Sequence, residues 1–438
     1  MEIFSSYNVI IGISLIIILS FIFNGVAKKT SVPAVLLLII LGIILQYVLK
    51  AFGGDSIDFF PMLEVLGIVG LIMIVLEAAL ELKLKSDKLM PILKSMAIAL
   101  IGLVASTFIA AVILKALVEG MTMQSAWLYA TPLSILSSAI IIPSVSGLSE
   151  AKKEFHVYES TFSDILGIML FYFLTGRLNP AEDAGVGGFF LNLILTIVIS
   201  LVASYAIILI FQKIKSQVKL FLLIAVLLLL YGLGKKMHLS SLIIILIFGL
   251  VIANMKLFFQ GKLRGYLDFE KAKSIYHELH VITAETAFVV RTLFFVIFGI
   301  TIVLSSLLSL KVTLISVLIL ISIYAIRYGL LRLFMGKDIS PQLFIAPRGL
   351  ITVLLFYAIP AEAAIEGFEP GILLFVIIGT SLIMTWGMIR DKKRNPTPVE
   401  EANEELEEGV EETEYFINNT TDLSEIDDAE ASDEYETE

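Results

Sequence analysis

Apolar stretches about as long as a lipid bilayer is thick recur along this chain, and they constrain its fold more than any other feature. The sequence has 438 residues, of which 58% are hydrophobic and only 16% are charged. A helix needs about 20 apolar residues to cross the hydrocarbon core of a bilayer, and a soluble domain needs a far more polar surface. We therefore predict an all-α polytopic membrane protein with about thirteen transmembrane helices, numbered here as spans 1 to 13: residues 8–27, 32–49, 61–82, 90–118, 125–148, 157–176, 188–212, 217–234, 239–257, 281–304, 312–335, 341–361 and 370–389.

The basic residues of the connecting segments indicate how these spans are oriented. If the N-terminus is outside, the inside segments hold 22 Lys and Arg residues, the outside segments hold 6, and three arginines lie within spans. Cytoplasmic segments of membrane proteins carry an excess of Lys and Arg. One missed or invented span would invert this pattern, so the bias favours thirteen spans with the N-terminus outside and the C-terminus in the cytoplasm.

The charge balance changes sharply near residue 394. Residues 1–394 contain 31 basic and 23 acidic residues, a net charge of +8, whereas 18 acidic residues and no basic residue follow between Glu400 and Glu438. Such a charged stretch with no core-forming pattern is typical of disorder. We predict a transmembrane domain over residues 1–394 and an acidic, disordered cytoplasmic tail over residues 395–438. The tail serves either for solvation alone or for regulation.

Two predicted spans are interrupted by prolines at matching positions. Span 5 contains Pro132, the pair Ser137-Ser138 and Pro143, and span 12 contains Pro341, Pro347-Arg348-Gly349 and Pro360. Counted as six spans, one linker span and six more, these are the fifth members of two halves with opposite orientation. Inverted repeats whose discontinuous helices meet near the middle of the membrane are typical of secondary transporters. The alternative is that the prolines only kink packed helices.

Several ionisable residues lie where a membrane span should be apolar. Such residues are costly in a bilayer and are therefore functional candidates. Ser160 and Asp164 are four residues apart and share a helix face. Glu159 points elsewhere, and we predict a structural ion pair with an arginine for it and a similar role for Glu285. The strongest candidates are Glu77, Asp164, Glu285, Arg291, Arg327 and Arg348, with Glu159 near the start of span 6 and Glu81 near the end of span 3.

A buried aspartate beside hydroxyl groups suits a small monovalent cation, because hard oxygen ligands replace the water around such an ion. Protons compete for the same carboxylate, and one site with two mutually exclusive ligands is the minimum that exchange requires. The sequence thus predicts that a monovalent cation and protons alternate at Asp164. The alternative for Asp164 is a structural salt bridge to an arginine inside the membrane.

Other functional classes fit the sequence less well. The chain has no cysteine, which excludes disulfides, thiolate metal sites and cysteine nucleophiles. None of its four histidines forms the His-Glu-x-x-His pattern of a metalloprotease. We therefore expect no enzyme, no cofactor, no metal beyond a transported monovalent cation and no nucleic-acid partner. A proton-gated monovalent cation channel stays open as an alternative.

Short motifs in their order along the spans resemble the monovalent cation:proton antiporter superfamily, the sodium/proton exchanger fold. The resemblance covers about residues 10–390. It implies exchange of Na+, K+ or Li+ for protons in pH homeostasis, a homodimer, elevator-like alternating access and a bacterial inner (plasma) membrane. The motifs are Val32-Pro33 in span 2, Leu76-Glu77-Ala-Ala-Leu-Glu81 in span 3, Leu239-Ser240-Ser241 in span 9, Phe294-Phe295 in span 10 and Pro347-Arg348-Gly349 in span 12.

The resemblance also implies roles for single residues. Asp164 matches the essential aspartate of the family, and Ser160 and Glu77 match positions that help to bind the ion. Glu159 and Arg327 match a paired glutamate and arginine.

The chain departs from the family pattern at two places. The residue before Asp164 is Ser163 instead of Asn or Asp, and Ser137-Ser138-Ala139 resembles the crossing of the potassium-efflux-like branch. The candidate cation and proton ligands are therefore Asp164, Ser160, Glu77, Ser163 and Ser138. Arg291 acts either as a countercharge to Asp164 or as a partner of Glu285, and Arg348 is a further structural or countercharge candidate.

Overall fold

The computed structural model describes residues 6–30, 32–51, 59–84, 88–178, 185–214, 219–236, 241–302 and 304–394. These residues form helices and connections, and no strand occurs among them. Three short 3-10 helices cover Gly261–Tyr266, Leu304–Leu308 and Ala361–Ala363. The α-helices are α1 Ser6–Thr30, α2 Ala34–Ala51, α3 Phe60–Glu81, α4 Leu89–Leu117, α5 Met123–Ser134, α6 Ser138–Ser144, α7 Glu150–Gly176, α8 Gly185–Phe211, α9 Lys219–Lys236, α10 Ser241–Ala253, α11 Met255–Phe258, α12 Phe269–Thr301, α13 Leu310–Met335, α14 Leu350–Tyr357 and α15 Gly371–Arg394.

Within the described ranges, ten helical segments are long and apolar enough to cross a membrane, with α5 and α6 counted as one. The predicted all-α membrane fold is therefore confirmed. The helices form because a backbone in hydrocarbon must satisfy its own polar groups. Predicted spans 8, 9 and 12 contain the shorter or more polar helices α9, α10 and α14. The count of thirteen and the inverted relation of the two halves stay predictions.

The backbones of α2 and α12 approach closely at two glycines. A Cβ atom added to Gly42 would lie 2.2 Å from the carbonyl oxygen of Val296, and one added to Gly299 would lie 2.5 Å from the carbonyl oxygen of Ile39. Small residues at such crossings are what allow membrane helices to pack backbone against backbone. Gln46 donates hydrogen bonds to the carbonyls beyond this crossing, at Ile300 and Ile302.

Side chains from α7, from α12 and from the residue after α10 bind the backbone at the end of α3. The Asn254 amide, which follows α10, donates to the Leu82 carbonyl at 2.8 Å and accepts from the Leu84 N–H at 2.6 Å. Tyr158 of α7 donates to the Lys83 carbonyl, and Tyr276 of α12 donates to the Leu80 carbonyl, both at 3.1 Å. Because the last carbonyls of a helix lack intrahelical donors, these side chains complete the hydrogen bonding of α3.

The chain divides into two compact units, Met1–Gly387 and Met388–Glu438. The first unit contains all the site residues predicted above. In the second unit the structure describes only the end of α15, through Arg394. The predicted acidic tail, residues 395–438, lies outside the described residues, so its boundary and its disorder stay predictions.

Candidate functional site

The site lies where two non-helical segments meet. Residues 135–137 separate α5 from α6, and residues 345–349 run without helix into α14. The Ser137 N–H donates to the Pro347 carbonyl at 3.0 Å. A Cβ atom on Gly349 would lie 2.4 Å from the Ser137 hydroxyl oxygen and 3.0 Å from its Cβ. Glycine at this position therefore allows the two unwound segments to touch.

Arg348 binds the backbone that this break leaves exposed. Its guanidinium donates to the carbonyls of Leu133 at 2.9 Å and Ser134 at 3.2 Å, the last two residues of α5. A third hydrogen bond reaches the Ala346 carbonyl at 2.6 Å. Only 2% of Arg348 is exposed. A cation at the C-terminus of a helix is electrostatically favourable and satisfies carbonyls that have no helical donor.

Asp164 reaches the other side of the same break from α7. One carboxylate oxygen, Oδ2, accepts the N–H of Ser138, the first residue of α6, at 3.4 Å. The other oxygen, Oδ1, is buried and has no hydrogen-bond partner among the described residues. The neighbouring Ser163 hydroxyl accepts the Leu136 N–H at 3.0 Å. Two consecutive side chains of α7 thus satisfy two N–H groups freed by the break.

A small cavity adjoins Asp164, and all its other lining residues are apolar. Its walls come from α3, α7, α10 and α14. The residues other than Asp164 are Ile74, Val75, Ala78, Ile165, Ile168, Leu242, Ile243, Leu246 and Ile351. No other charged residue among those described lines this cavity. A cation or a proton is therefore the partner that would neutralise the Asp164 carboxylate.

Ser160 lies one helical turn before Asp164 and is fully buried. Its hydroxyl donates to the His156 carbonyl at 2.7 Å within α7. It is therefore close to Asp164 along the helix, but its described hydrogen bonds are to the α7 backbone.

Glu159 and Arg327 form a bidentate ion pair between α7 and α13. The two N–H···O distances are 2.7 and 2.9 Å, and the Gln342 carbonyl accepts two further hydrogen bonds from Arg327. Both side chains are buried. They line a second small cavity, together with Ser163 and Arg348. The pair thus lies on a different face of α7 from Asp164.

Arg291 contacts neither of the partners that the sequence suggested. Its Nη2 atom lies 3.6 Å from the Glu77 carboxylate on α3, and its Nη1 atom donates to the Ala139 carbonyl on α6 at 2.7 Å. The described ion pairs include none with Glu285, whose side chain is exposed on α12. A pair between Arg291 and Glu285 is therefore corrected to a pair between Arg291 and Glu77.

Sequence reasoning missed the backbone groups that the site uses. The carbonyls of Leu133, Ser134, Ala139 and Gln342 accept hydrogen bonds from the three intramembrane arginines. A carbonyl has no residue-type signature, so only the prolines nearby signalled that helical donors would be lacking.

Comparisons with known proteins agree with this architecture. The sequence model of the family described as "Sodium/hydrogen exchanger, transmembrane" matches residues 14–389. A structure of the sodium proton antiporter MjNhaP1 from Methanocaldococcus jannaschii at pH 8 aligns with a TM-score of 0.65 and 20% identity, covering 88% of this chain and 98% of that one. A second MjNhaP1 structure, from electron microscopy, has a TM-score of 0.61 and 20% identity, covering 89% and 96%.

At this identity the structural likeness shows the fold alone, whereas the family match covers most of the chain. A search of curated protein sequences found no significant match. The chain therefore belongs to the transmembrane sodium/hydrogen exchanger family.

Proposed function

We propose that the protein exchanges a monovalent cation, Na+ or K+ and also Li+, for protons by alternating access, with Asp164 as the shared site. Family membership makes the chain an integral membrane cation:proton antiporter and not an enzyme. The identity of the cation, the role of Asp164 and the mode of access are the parts that are proposed.

The observation that carries the proposal is the unpartnered carboxylate oxygen of Asp164. A buried polar atom without a partner is unfavourable unless something binds it during function. Asp164 lines an apolar cavity, its Oδ1 is buried without a hydrogen-bond partner among the described residues, and its Oδ2 is held by the first N–H of α6. Either a cation or a proton satisfies this oxygen, and the two exclude each other, which is the condition for coupled exchange.

The remaining ligands are oxygen atoms close to the break. Ser138, Ser160 and Ser163 are buried at or next to the break, although Ser163 lines the other cavity and binds the Leu136 N–H, and the gap between α5 and α6 leaves carbonyl groups without helical donors. Hydroxyl and carbonyl oxygens are suitable ligands for a hard cation. The family resemblance adds Glu77 to the proposed ligand set, and its carboxylate lies 3.6 Å from Arg291 of α12.

The other charged residues hold the broken helices in place. The Glu159–Arg327 pair joins α7 to α13, and Arg348 binds the end of α5. In this scheme the protein works as a homodimer in a bacterial inner membrane, with its N-terminus outside and its C-terminus in the cytoplasm. The inverted halves then move to expose Asp164 alternately on the two sides.

The test is transport by purified protein in liposomes that carry a pH gradient. Addition of Na+, Li+ or K+ should dissipate the gradient in wild type, and Asp164→Asn should abolish that response for every cation. A matched control is Glu150→Gln, which removes an exposed carboxylate from the same helix. It should transport like wild type.

Transport by Asp164→Asn at the wild-type rate would refute the role of Asp164. A pH gradient that drives the cation uphill distinguishes exchange from the channel alternative, because a channel only passes ions down their own gradients. Unitary currents without uphill movement would therefore favour a proton-gated channel.

A further inference from the structure

The three arginines inside the helical core differ in how firmly they are held. Arg327 donates four hydrogen bonds, two of them to a carboxylate, and Arg348 donates three to backbone carbonyls through its side chain. Among described residues Arg291 donates one, to the Ala139 carbonyl, and its buried Nε atom has no partner. Its distance of 3.6 Å to Glu77 is too long for a hydrogen bond. Arg291 is thus the arginine that can most easily release what it binds.

The carbonyl that Arg291 binds is one that the sequence itself sets free. In an α-helix the carbonyl of residue 139 would accept the N–H of residue 143. Residue 143 is proline, which has no N–H. The Ala139 carbonyl therefore lacks its regular helical donor inside the membrane. A freed carbonyl of this kind is a good cation ligand, and here a guanidinium group is bound to it.

This contact lies immediately beside the proposed cation site. Ser138 binds Asp164 through its N–H, and the next residue, Ala139, binds Arg291 through its carbonyl. On α3, Ala78 lines the Asp164 cavity, and the preceding residue is Glu77, the second partner of Arg291. The Arg291 side chain thus links α3 to α6 at two residues, Glu77 and Ala139, that each adjoin in sequence a residue of the Asp164 site.

We propose that Arg291 is a positioning residue that acts as a tethered cation. It neutralises Glu77 and occupies the Ala139 carbonyl, so that the transported ion meets Asp164 as its only charged ligand. Arg291 thereby sets the cation affinity of the site. This inference rests on the proposed function, because it assumes that the cation binds at Asp164.

The proposal differs from the role that the family resemblance implies for Glu77. If Glu77 coordinates the cation directly while Arg291 only packs beside it, loss of Glu77 weakens binding whether or not Arg291 is present. If Arg291 instead neutralises Glu77, the two residues compensate, and removing both restores the original charge around Asp164.

The experiment is a double-mutant cycle of Arg291→Gln, Glu77→Gln and the combined variant, measured as KM and maximal rate for Na+ in liposomes at fixed pH. Loss of Arg291 should lower KM about tenfold, because a positive charge near the site disappears and a carboxylate is freed. Loss of Glu77 should raise KM about tenfold, because the arginine is no longer neutralised. The combined variant should have a KM close to that of wild type.

Arg291→Lys is the conservative control, because it keeps the positive charge. It should keep KM within about twofold of wild type, whereas a residue needed only for its shape would not be replaced by lysine. The charge-balanced double variant and Arg291→Lys also keep the test valid if Arg291→Gln alone folds poorly. Retention volume on size exclusion reports folding for each variant.

Two results would overturn the proposal. One is a double variant whose KM stays as high as that of Glu77→Gln. The other is a well-folded Arg291→Gln protein with an unchanged KM. Neither result touches the proposed function, which fails only if Asp164→Asn transports normally or if uphill exchange is absent.

Discussion

Ser163 and Asp164 are adjacent in α7, yet their side chains line different cavities. Successive residues of an α-helix point about 100° apart, so Asp164 faces α3 and α10 while Ser163 faces α4 and α13. In the family pattern the residue before the aspartate is Asn or Asp. Here Ser163 binds the backbone at Leu136 instead. Both side chains thus bind the backbone at the break, and Asp164 in addition keeps one oxygen without a partner among the described residues for the proposed cation.

Glu159 gives a prediction about stability at this scale. Glu159→Gln leaves the buried Arg327 without its counterion, and breaking a buried ion pair in this way costs about 3–5 kcal/mol. We expect a lower thermal unfolding temperature and a lower folded yield, with little change in the KM for Na+. The measurement is thermal unfolding in detergent, followed by transport in liposomes.

Glu150→Gln is the control for this prediction, since its partner Lys153 lies 4.0 Å away on the surface of the same helix. It should unfold at the wild-type temperature, because exposed ion pairs contribute little. Normal unfolding of Glu159→Gln together with a large rise in KM would instead place Glu159 among the cation ligands.

At the scale of residues, the sequence identifies the charged side chains of the site but not the backbone groups that they bind. Asp164, Glu159 and Arg327 were all singled out because charges are rare in membrane spans, and the structure brings the last two into contact. The Arg291 contact with Glu77 was not predicted. It depends on how α3 and α12 pack, and the apolar residues between them do not encode that register.

At the scale of elements, the meeting of the two unwound segments depends on glycine. In Gly349→Ala the Ser137 hydroxyl could rotate away, but the Ser137 Cβ and the Ile140 side chain would each remain 3.0 Å from the new methyl group. Overpacking of this kind costs about 1–3 kcal/mol. We expect the segments to separate and the maximal transport rate to fall about tenfold, measured in liposomes.

Gly329→Ala is the matched control, because an added Cβ at that position of α13 meets no atom within 4 Å. It should fold and transport like wild type. Equal rates for the two alanine variants would show that close contact between the unwound segments is not required for exchange.

The sequence predicts where the two helices are interrupted, but not which residues are unwound. Prolines marked both regions, yet residues 135–137 lie between Pro132 and Pro143 and contain no proline themselves. Which backbone groups are freed follows from proline chemistry. Which groups then bind them depends on how the helices pack, as the hydrogen bond from the Ser137 N–H to the Pro347 carbonyl illustrates.

For the whole molecule, the chain without cysteine allows a direct test of orientation. Glu119 precedes α5 and Ser149 precedes α7, and both are exposed. With the N-terminus outside, Glu119→Cys should react with a membrane-impermeant maleimide in intact cells, and Ser149→Cys should react only after permeabilisation.

The reverse labelling would place the N-terminus in the cytoplasm. Labelling of both sites from one side would mean that the segment between Glu119 and Ser149 does not cross the membrane. The cysteine-free parent chain provides the unlabelled baseline for both variants.

The fold class was predictable from hydropathy, because a bilayer imposes the length and the helical form of each span. The predicted order of the spans also implies which helices run parallel. Gly249 meets Ala79 and Asn254 meets Leu82, so α3 and α10 run parallel, as spans 3 and 9 should. The shape of α14, a helix of eight residues after a long unwound segment, was not predictable from length and apolarity.

The hydrogen bonds at the end of α3 have a mechanical consequence. Hydrogen bonds from Asn254, Tyr158 and Tyr276 connect the end of α3 to α10, α7 and α12, and a sliding motion of α3 would break all three together. We expect α3, α7, α10 and α12 to behave as one rigid body around Asp164. If exchange proceeds by the proposed alternating access, the hinge then belongs to connections outside this block, and these four helices carry the cation as one unit.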